Sequence, residues 1–250
     1  MATTAKHPDE RELEQYPRKR QPLIDFGPLG RWFEERALAI HYPLREFLMH
    51  PVDKFSNIFD LMGELTAFLF INQLITGIIL AIFYRPTTSG AFKSLQDITY
   101  VIPAGVWIRG LHVYGASAMV IAIFIHMCRV FWYGAYKKPR ELTWVLGVVL
   151  LIATLGLSFT GYLLPWNQEA YWATMVGTYL PFYTLFPVPL VGRWIVDILR
   201  AGNDLTGATL TRFYTIHMLI LPGLLITALT FHLVLVVRQG VFFLTEEHAQ

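Results

Sequence analysis

Four histidines interrupt otherwise apolar stretches of the chain: His112 and His126 in one, His217 and His232 in another. The first pair is 14 residues apart and the second 15. An ionisable side chain inside a membrane span is costly and usually functional. At about 1.5 Å rise per residue, fourteen helical positions cover ~21 Å, two thirds of the ~30 Å hydrocarbon layer. At about 100° per residue, fourteen positions return to within ~40° of the start and fifteen overshoot by ~60°. Each helix therefore shows both histidines on roughly one face, in two layers. Neutral imidazoles from opposite helices suit bis-histidine haem iron. Zinc usually takes four ligands, and no cysteine or carboxylate lies at matching depth on these two stretches. The chemistry this pattern supports is one-electron storage by two stacked b-type haems.

The elements that must hold such a site are long apolar runs. The chain has 250 residues, 54% of them hydrophobic, and a mean hydropathy of +0.45. Four spans are expected, at Leu61–Tyr84, Val106–Tyr133, Thr143–Leu164 and Phe213–Val237. Each exceeds the roughly 20 residues needed to cross a bilayer. Fourteen Lys and Arg fall on one side of these spans and six on the other: Arg85, Lys93, Arg109, Arg193, Arg200 and Arg212. The positive-inside rule then places both termini in the cytoplasm, or in an equivalent compartment such as a stroma or matrix. The polar start shows no cleavable signal peptide. The net charge of +2 points to no nucleic acid. The single cysteine, Cys128, excludes an internal disulfide, a Cys-x-x-Cys-His haem motif and a four-cysteine cluster within the chain.

That topology sorts the ligands. The second and fourth spans both run from outside to inside, so His112 and His217 share the outer layer, and His126 and His232 share the inner one. Glycines repeat the spacing: Gly63 and Gly77 in the first span, Gly147 and Gly161 in the third, each pair 14 apart. Both spans run inside to outside, which puts Gly63 and Gly147 at the inner depth and Gly77 and Gly161 at the outer. Glycine gives a flat macrocycle clearance from side chains; small-residue helix packing is the plainer reading. Arg109 lies three residues before His112 and Arg129 three after His126, each one turn from a ligand and suited to a propionate. Arg212, five before His217, is a weaker candidate. For all three the plainer reading is snorkelling to the headgroups.

Outside the spans, residues 1–56 are expected to be a cytoplasmic arm followed by an amphipathic surface helix over 28–50, broken at Pro43. Residues 57–240 would form the four-helix dihaem domain and 241–250 a cytoplasmic tail. The connection 165–212 is long and aromatic, and Leu190–Arg200 has the spacing of a short helix lying on the outer surface. The segment after Tyr84-Arg85-Pro86, as far as Val106, is read as an outer loop.

Together these segments resemble cytochrome b6 and the N-terminal half of cytochrome b, of the b6f and bc1 complexes. The resemblance runs from Trp32 to Gly240. It is carried by WFEER (32–36), WIRGLH (107–112), KKPRELTW (137–144), GYLLPW (161–166), LTRFYTIH (210–217) and RQG (238–240). The 15-residue step from His217 to His232 resembles the b6, or split, type. The resemblance implies an all-α membrane protein, a four-transmembrane-helix bundle with two stacked b-type haems and an N-terminal amphipathic surface helix. It implies a low-potential outer haem on His112 and His217, a high-potential inner haem on His126 and His232, and propionates on Arg109 and Arg129. It also implies a quinol:cytochrome c (or plastocyanin-like) oxidoreductase, with quinol oxidised outside near Trp166, Tyr171, Trp172 and Ala173. Quinone would be reduced inside, coupled to proton translocation. The implied partners are a subunit-IV-like C-terminal cytochrome b chain, a Rieske iron–sulfur protein and a c-type cytochrome, in a dimeric complex with lipid and quinone, and the implied location is a bacterial cytoplasmic membrane.

Three departures from the family pattern carry expectations. Where cytochrome b6 has a cysteine that attaches an extra haem covalently, the register NIFDLMG (57–63) places Leu61, so no covalent third haem is expected. The Pro-Glu-Trp-Tyr quinol motif of the family lies beyond the fourth span, so a second chain is expected to supply it. Ala173 stands where mitochondrial-type proteins have glycine, so weak inhibition by methoxyacrylates is expected. Two other readings of four membrane histidines remain: a dihaem quinone-linked anchor of a dehydrogenase or hydrogenase, and a non-haem metal transporter. The first should lack GYLLPW and the paired glycines. The second favours broken helices near the midplane rather than two layers.

Overall fold

A computed structural model describes residues 61–180 and 189–239. The expected arm, the surface helix over 28–50 and the tail lie outside the described residues. Every regular element among the described residues is helical.

Among the described residues, four helices are long and apolar enough to cross a membrane. The first is α1, Met62–Phe83. It ends at the proline of Tyr84-Arg85-Pro86, which biases the preceding residue away from helical angles. A short helix α2, Ala91–Tyr100, follows where the sequence suggests only a loop. Its apolar face is buried through Ala91 and Ile98, and this packing outweighs the weak propensity of a ten-residue segment. The second span, α3, covers Gly105–Trp132. Its first residue has to be glycine: a Cβ there would lie 1.8 Å from the Ile98 carbonyl oxygen. The third span, α4, covers Glu141–Leu163 and stops two residues before Pro165, which cannot continue it.

Two outer helices follow, α5 at Gln168–Leu180 and α6 at Pro189–Arg200. The first was not expected from sequence; the second is the one read at Leu190–Arg200. The fourth span is continuous over Gly207–Gln239, six residues earlier at its start than expected. It is built of α7, Gly207–Thr215, a π-helical turn, Ile216–Ile220, and α8, Leu221–Gln239. The wide turn is closed by the Leu221 N–H donating to the Ile216 carbonyl. Its cause is next in sequence: Pro222 has no N–H, and its ring would meet the carbonyl four residues back.

The bundle packs α1 along α3 and α4 along α8, so each histidine helix lies against a glycine helix. Among the described residues, two buried apolar clusters sit at the outer ends. One joins Tyr84, Ala91, Ile98 and Leu210; the other joins Leu163, Leu205 and Phe213. Trp166 packs against both. Along the spans, large apolar side chains such as Phe68, Ile82 and Phe231 face outward. In lipid this carries no hydrophobic penalty, because the tails are as apolar as the side chains. The chain is an integral membrane protein.

Candidate functional site

The site begins with the four histidines and what holds their rings. His112 and His217 meet across the bundle, ring centroids 6.3 Å apart and planes at 76°. His126 and His232 lie close enough to interact electrostatically. The structure thus brings together the pairs expected from topology.

The rings of His112, His217 and His232 are anchored. His217 Nδ1 is 3.0 Å from the Leu157 carbonyl, and His232 Nδ1 is 3.0 Å from the Thr143 carbonyl. His112 bonds to the Gln73 backbone and, at 2.9 Å, to Thr76 Oγ1. A carbonyl can only accept, so Nδ1 carries the proton and Nε2 is left with its lone pair. That is the tautomer a metal takes.

The acceptors follow a register. Leu157 is four residues before Gly161, Thr143 four before Gly147 and Gln73 four before Gly77. In an α-helix the carbonyl of residue i lies beneath residue i+4. A glycine there removes the side chain that would shield it, and the imidazole moves in.

The glycines are therefore tied to the rings themselves. A Cβ at Gly161 would sit 2.7 Å from His217 Cε1, at Gly77 3.2 Å from His112 Cε1, at Gly63 3.4 Å from His126 Cε1, and at Gly147 3.6 Å from His232 Cε1. Each of these glycines leaves room for an imidazole.

Three observations test whether haem fits. Metal–imidazole bonds of roughly 2.0–2.1 Å on each side, plus about 1 Å to each ring centre, put the two centroids about 6 Å apart; His112 and His217 match. The helices that carry the pairs, α3 and α8, are not among the closely packed pairs of the described residues. Finally, Gln73 Nε2 is buried without a hydrogen-bond partner, one turn inward of Gly77. A buried donor of this kind costs about 1–3 kcal/mol; it lies against Gly115 of α3, where a Cβ would come within 2.4 Å of it. No group of three or more His, Cys, Asp or Glu among the described residues could hold a metal ion, and His112 and His217 face each other as a pair.

The arginines are held at the ends of these layers. An Arg109 guanidinium nitrogen donates to Thr99 Oγ1 on α2 at 2.9 Å. The unexpected outer helix thus orients the outer arginine. Arg129 lies 5.4 Å over the Tyr133 ring. Arg212 is directed elsewhere: it donates to the carbonyls of Asp197, at 3.1 Å, and Ile198 at the end of α6.

The outer aromatic residues form a chain. Trp166 and Tyr171 meet edge-on at 6.1 Å, and Tyr171 and Trp172 at 5.3 Å. Trp166 has a left-handed backbone, φ 51°, a conformation that costs of order 1–3 kcal/mol for a non-glycine residue and clusters at functional sites. Trp172 Nε1 donates to Gln168 Oε1, and Trp172 and Ala173 are exposed on α5. Two residues passed over in the sequence hold this region. Tyr84 donates to the Leu164 carbonyl at 2.7 Å and stacks on Tyr214 at 5.6 Å. Burial, with the Tyr214 phenol beside it, pushes the Tyr84 phenol well above the usual tyrosine range. Arg200 is buried and donates to Thr178 Oγ1 at 2.6 Å and to the carbonyls of Met175 and Asn203. It ties α5 to α6.

Residues 48–240 match the family described as Cytochrome b/b6/petB. The chain is 41% identical over 211 residues to cytochrome b6 of Heliobacterium modesticaldum, covering 84% of this chain and 97% of that one. It is 42% identical over 211 residues to the cytochrome bc complex cytochrome b subunit of Chlorobaculum thiosulfatiphilum, covering 84% of this chain but 48% of that one. Among solved structures it is similar to a chain of a hyperthermophilic respiratory Complex III. The TM-score is 0.74 at 32% identity, over 84% of this chain and 55% of that one. The chain therefore spans about half the length of these last two relatives.

Proposed function

The chain belongs to the cytochrome b/b6 family, and on that premise we propose that it is the dihaem cytochrome b subunit of a quinol:cytochrome c (or plastocyanin-like) oxidoreductase. It carries electrons from an outer quinol-oxidation site to an inner quinone-reduction site, coupled to proton translocation. The observation that supports this reading best is the ligand geometry: two imidazoles 6.3 Å apart, with Nδ1 held by carbonyls of α4 at His217 and His232.

His112 and His217 would hold the outer haem, and His126 and His232 the inner one. When bound, each haem supplies a one-electron store in a layer that admits no ions. The protein does the rest. The backbone anchors keep the rings of His112, His217 and His232 neutral and oriented. Arg109, steadied by Thr99, and Arg129 offer charge to propionates at the two ends. The apolar spans exclude water. At the outer side, Trp166, Tyr171, Trp172 and Ala173 form one wall of a quinol pocket on a platform that Arg200 fixes.

The remaining quinol pocket would come from a C-terminal cytochrome b chain. A Rieske protein and a c-type cytochrome would take electrons, within a dimeric complex of the bacterial cytoplasmic membrane. The test is a reduced-minus-oxidised spectrum of the purified protein with haem quantified per chain. Two b-type haems are expected; a chain that purifies folded with none, or with one, would overturn the proposal.

A further inference from the structure

We propose that Thr76 and Thr160 set the outer haem apart from the inner one, lowering its reduction potential through a second hydrogen bond to His112 and His217. This rests on the dihaem reading above.

Both threonines directly precede an outer-layer glycine, Gly77 and Gly161. Both are buried. Thr76 Oγ1 lies 2.9 Å from His112 Nδ1, and Thr160 Oγ1 lies 3.3 Å from His217 Nδ1. The direction of these bonds follows from counting protons. A threonine hydroxyl has one. Thr76 donates it to the Asn72 carbonyl at 2.6 Å, and Thr160 donates it to the Gly156 carbonyl at 2.8 Å. The hydroxyl oxygens are then acceptors toward Nδ1–H. The His217 proton is shared between the Leu157 carbonyl and the Thr160 hydroxyl, a three-centre bond, and the His112 ring meets the Thr76 hydroxyl beside the Gln73 backbone.

Among the described residues the inner layer lacks this device. The residues that precede its glycines are Met62 and Leu146, which have no hydroxyl. His232 Nδ1 meets the Thr143 carbonyl, and among the described residues no hydroxyl bonds to His126 or His232.

Threonine back-bonding to the carbonyl four residues earlier is ordinary in helices. Thr154, Thr215 and Thr230 do it here with no further partner of this kind. Thr76 and Thr160 differ because, on two separate helices and at the same register, the hydroxyl also reaches a ligand ring.

The consequence is electronic. An added acceptor on Nδ1–H makes the imidazole a more basic ligand at Nε2. A more basic ligand favours the oxidised metal, so the potential falls, and hydrogen bonding to the ligand is one of the levers a protein has on haem. Because both sites are buried, the effect is not diluted by water.

The experiment measures the midpoint potential of each haem, by spectroelectrochemistry of the intact complex at fixed pH, in Thr76→Val, Thr160→Val and the double variant. Thr76→Ser and Thr160→Ser keep the hydroxyl, and alanine at either position removes it with less bulk against the ring. The outer haem should become easier to reduce by threefold to tenfold in its equilibrium constant, roughly 28–59 mV for one electron. Thr76→Val should have the larger effect because its bond is shorter. The inner haem should stay in place, and the serine variants should restore the parent value. Two haems present with an unmoved outer potential in the double variant would overturn the proposal while leaving the dihaem reading intact. So would equal shifts of both haems, or serine variants that move as far as valine. Absence of two haems in the parent protein would instead remove the reading on which it rests.

Discussion

At the scale of single residues, distances rank the glycines. Gly161→Ala would place a methyl 2.7 Å from His217 Cε1, whereas Gly147→Ala would place one at an ordinary 3.6 Å from His232 Cε1. Overpacking of the first kind costs about 1–3 kcal/mol, here at a ring that must also meet a metal. Haem quantification should show Gly161→Ala short of its outer haem and Gly147→Ala with both; equal retention would break the ranking. His112→Ala should remove one haem of the two, the outer one, and a variant that keeps both would refute the ligand assignment. Ala173 carries a further expectation. Its methyl stands exposed on α5 where mitochondrial-type relatives have none, so methoxyacrylates should inhibit the purified complex weakly. Nanomolar inhibition would contradict this, and Ala173→Gly should raise sensitivity.

At the scale of elements, the wide turn at Ile216–Ile220 accounts for the 15-residue step. A turn closed from residue 216 to residue 221 holds one residue more than an α-turn. It absorbs the extra residue, so the ~60° overshoot expected of a straight helix does not arise, and His217 and His232 present themselves much as His112 and His126 do. The second span is a continuous α-helix over Gly105–Trp132 and has no such slack. Deleting Leu219 should therefore leave two haems, while deleting Ser117 should turn one histidine of α3 by about 100° and cost a haem. Loss of a haem in both deletions would show that the π-turn is not slack. The short outer helices α2 and α5 were illegible in sequence for a related reason. Ala91–Tyr100 carries Lys93, Gln96 and Asp97 among its apolar positions, and a segment this short is held by what it packs on, which only the tertiary structure supplies.

At the scale of the whole molecule, the charge asymmetry becomes a statement about sides. The outer ends carry both buried apolar clusters and the aromatic platform. The opposite end carries a clasp in which Gln239 Nε2 donates to the Pro139 carbonyl and Thr143 donates to Gln239 Oε1. In a Cys128→Ser background, Asp204→Cys should react with a membrane-impermeant maleimide in intact cells and Lys137→Cys only after permeabilisation. The reverse pattern would invert the topology.

The sequence by itself determined the class of the molecule. Length of apolar runs, histidine depth and glycine period are properties of one dimension, and lipid converts them directly into span and layer. It also determined which histidines pair, because two helices of the same direction can match only equal depths. What only the tertiary structure decided is how each ligand ring is held. That a glycine uncovers the carbonyl four residues earlier, that Thr76 and Thr160 reach outer-layer rings on neighbouring helices, that Arg212 turns to α6 rather than inward, and that Arg200 pins α5 all depend on contacts between helices. Such contacts join residues as far apart as Thr143 and His232, and no local spacing records them.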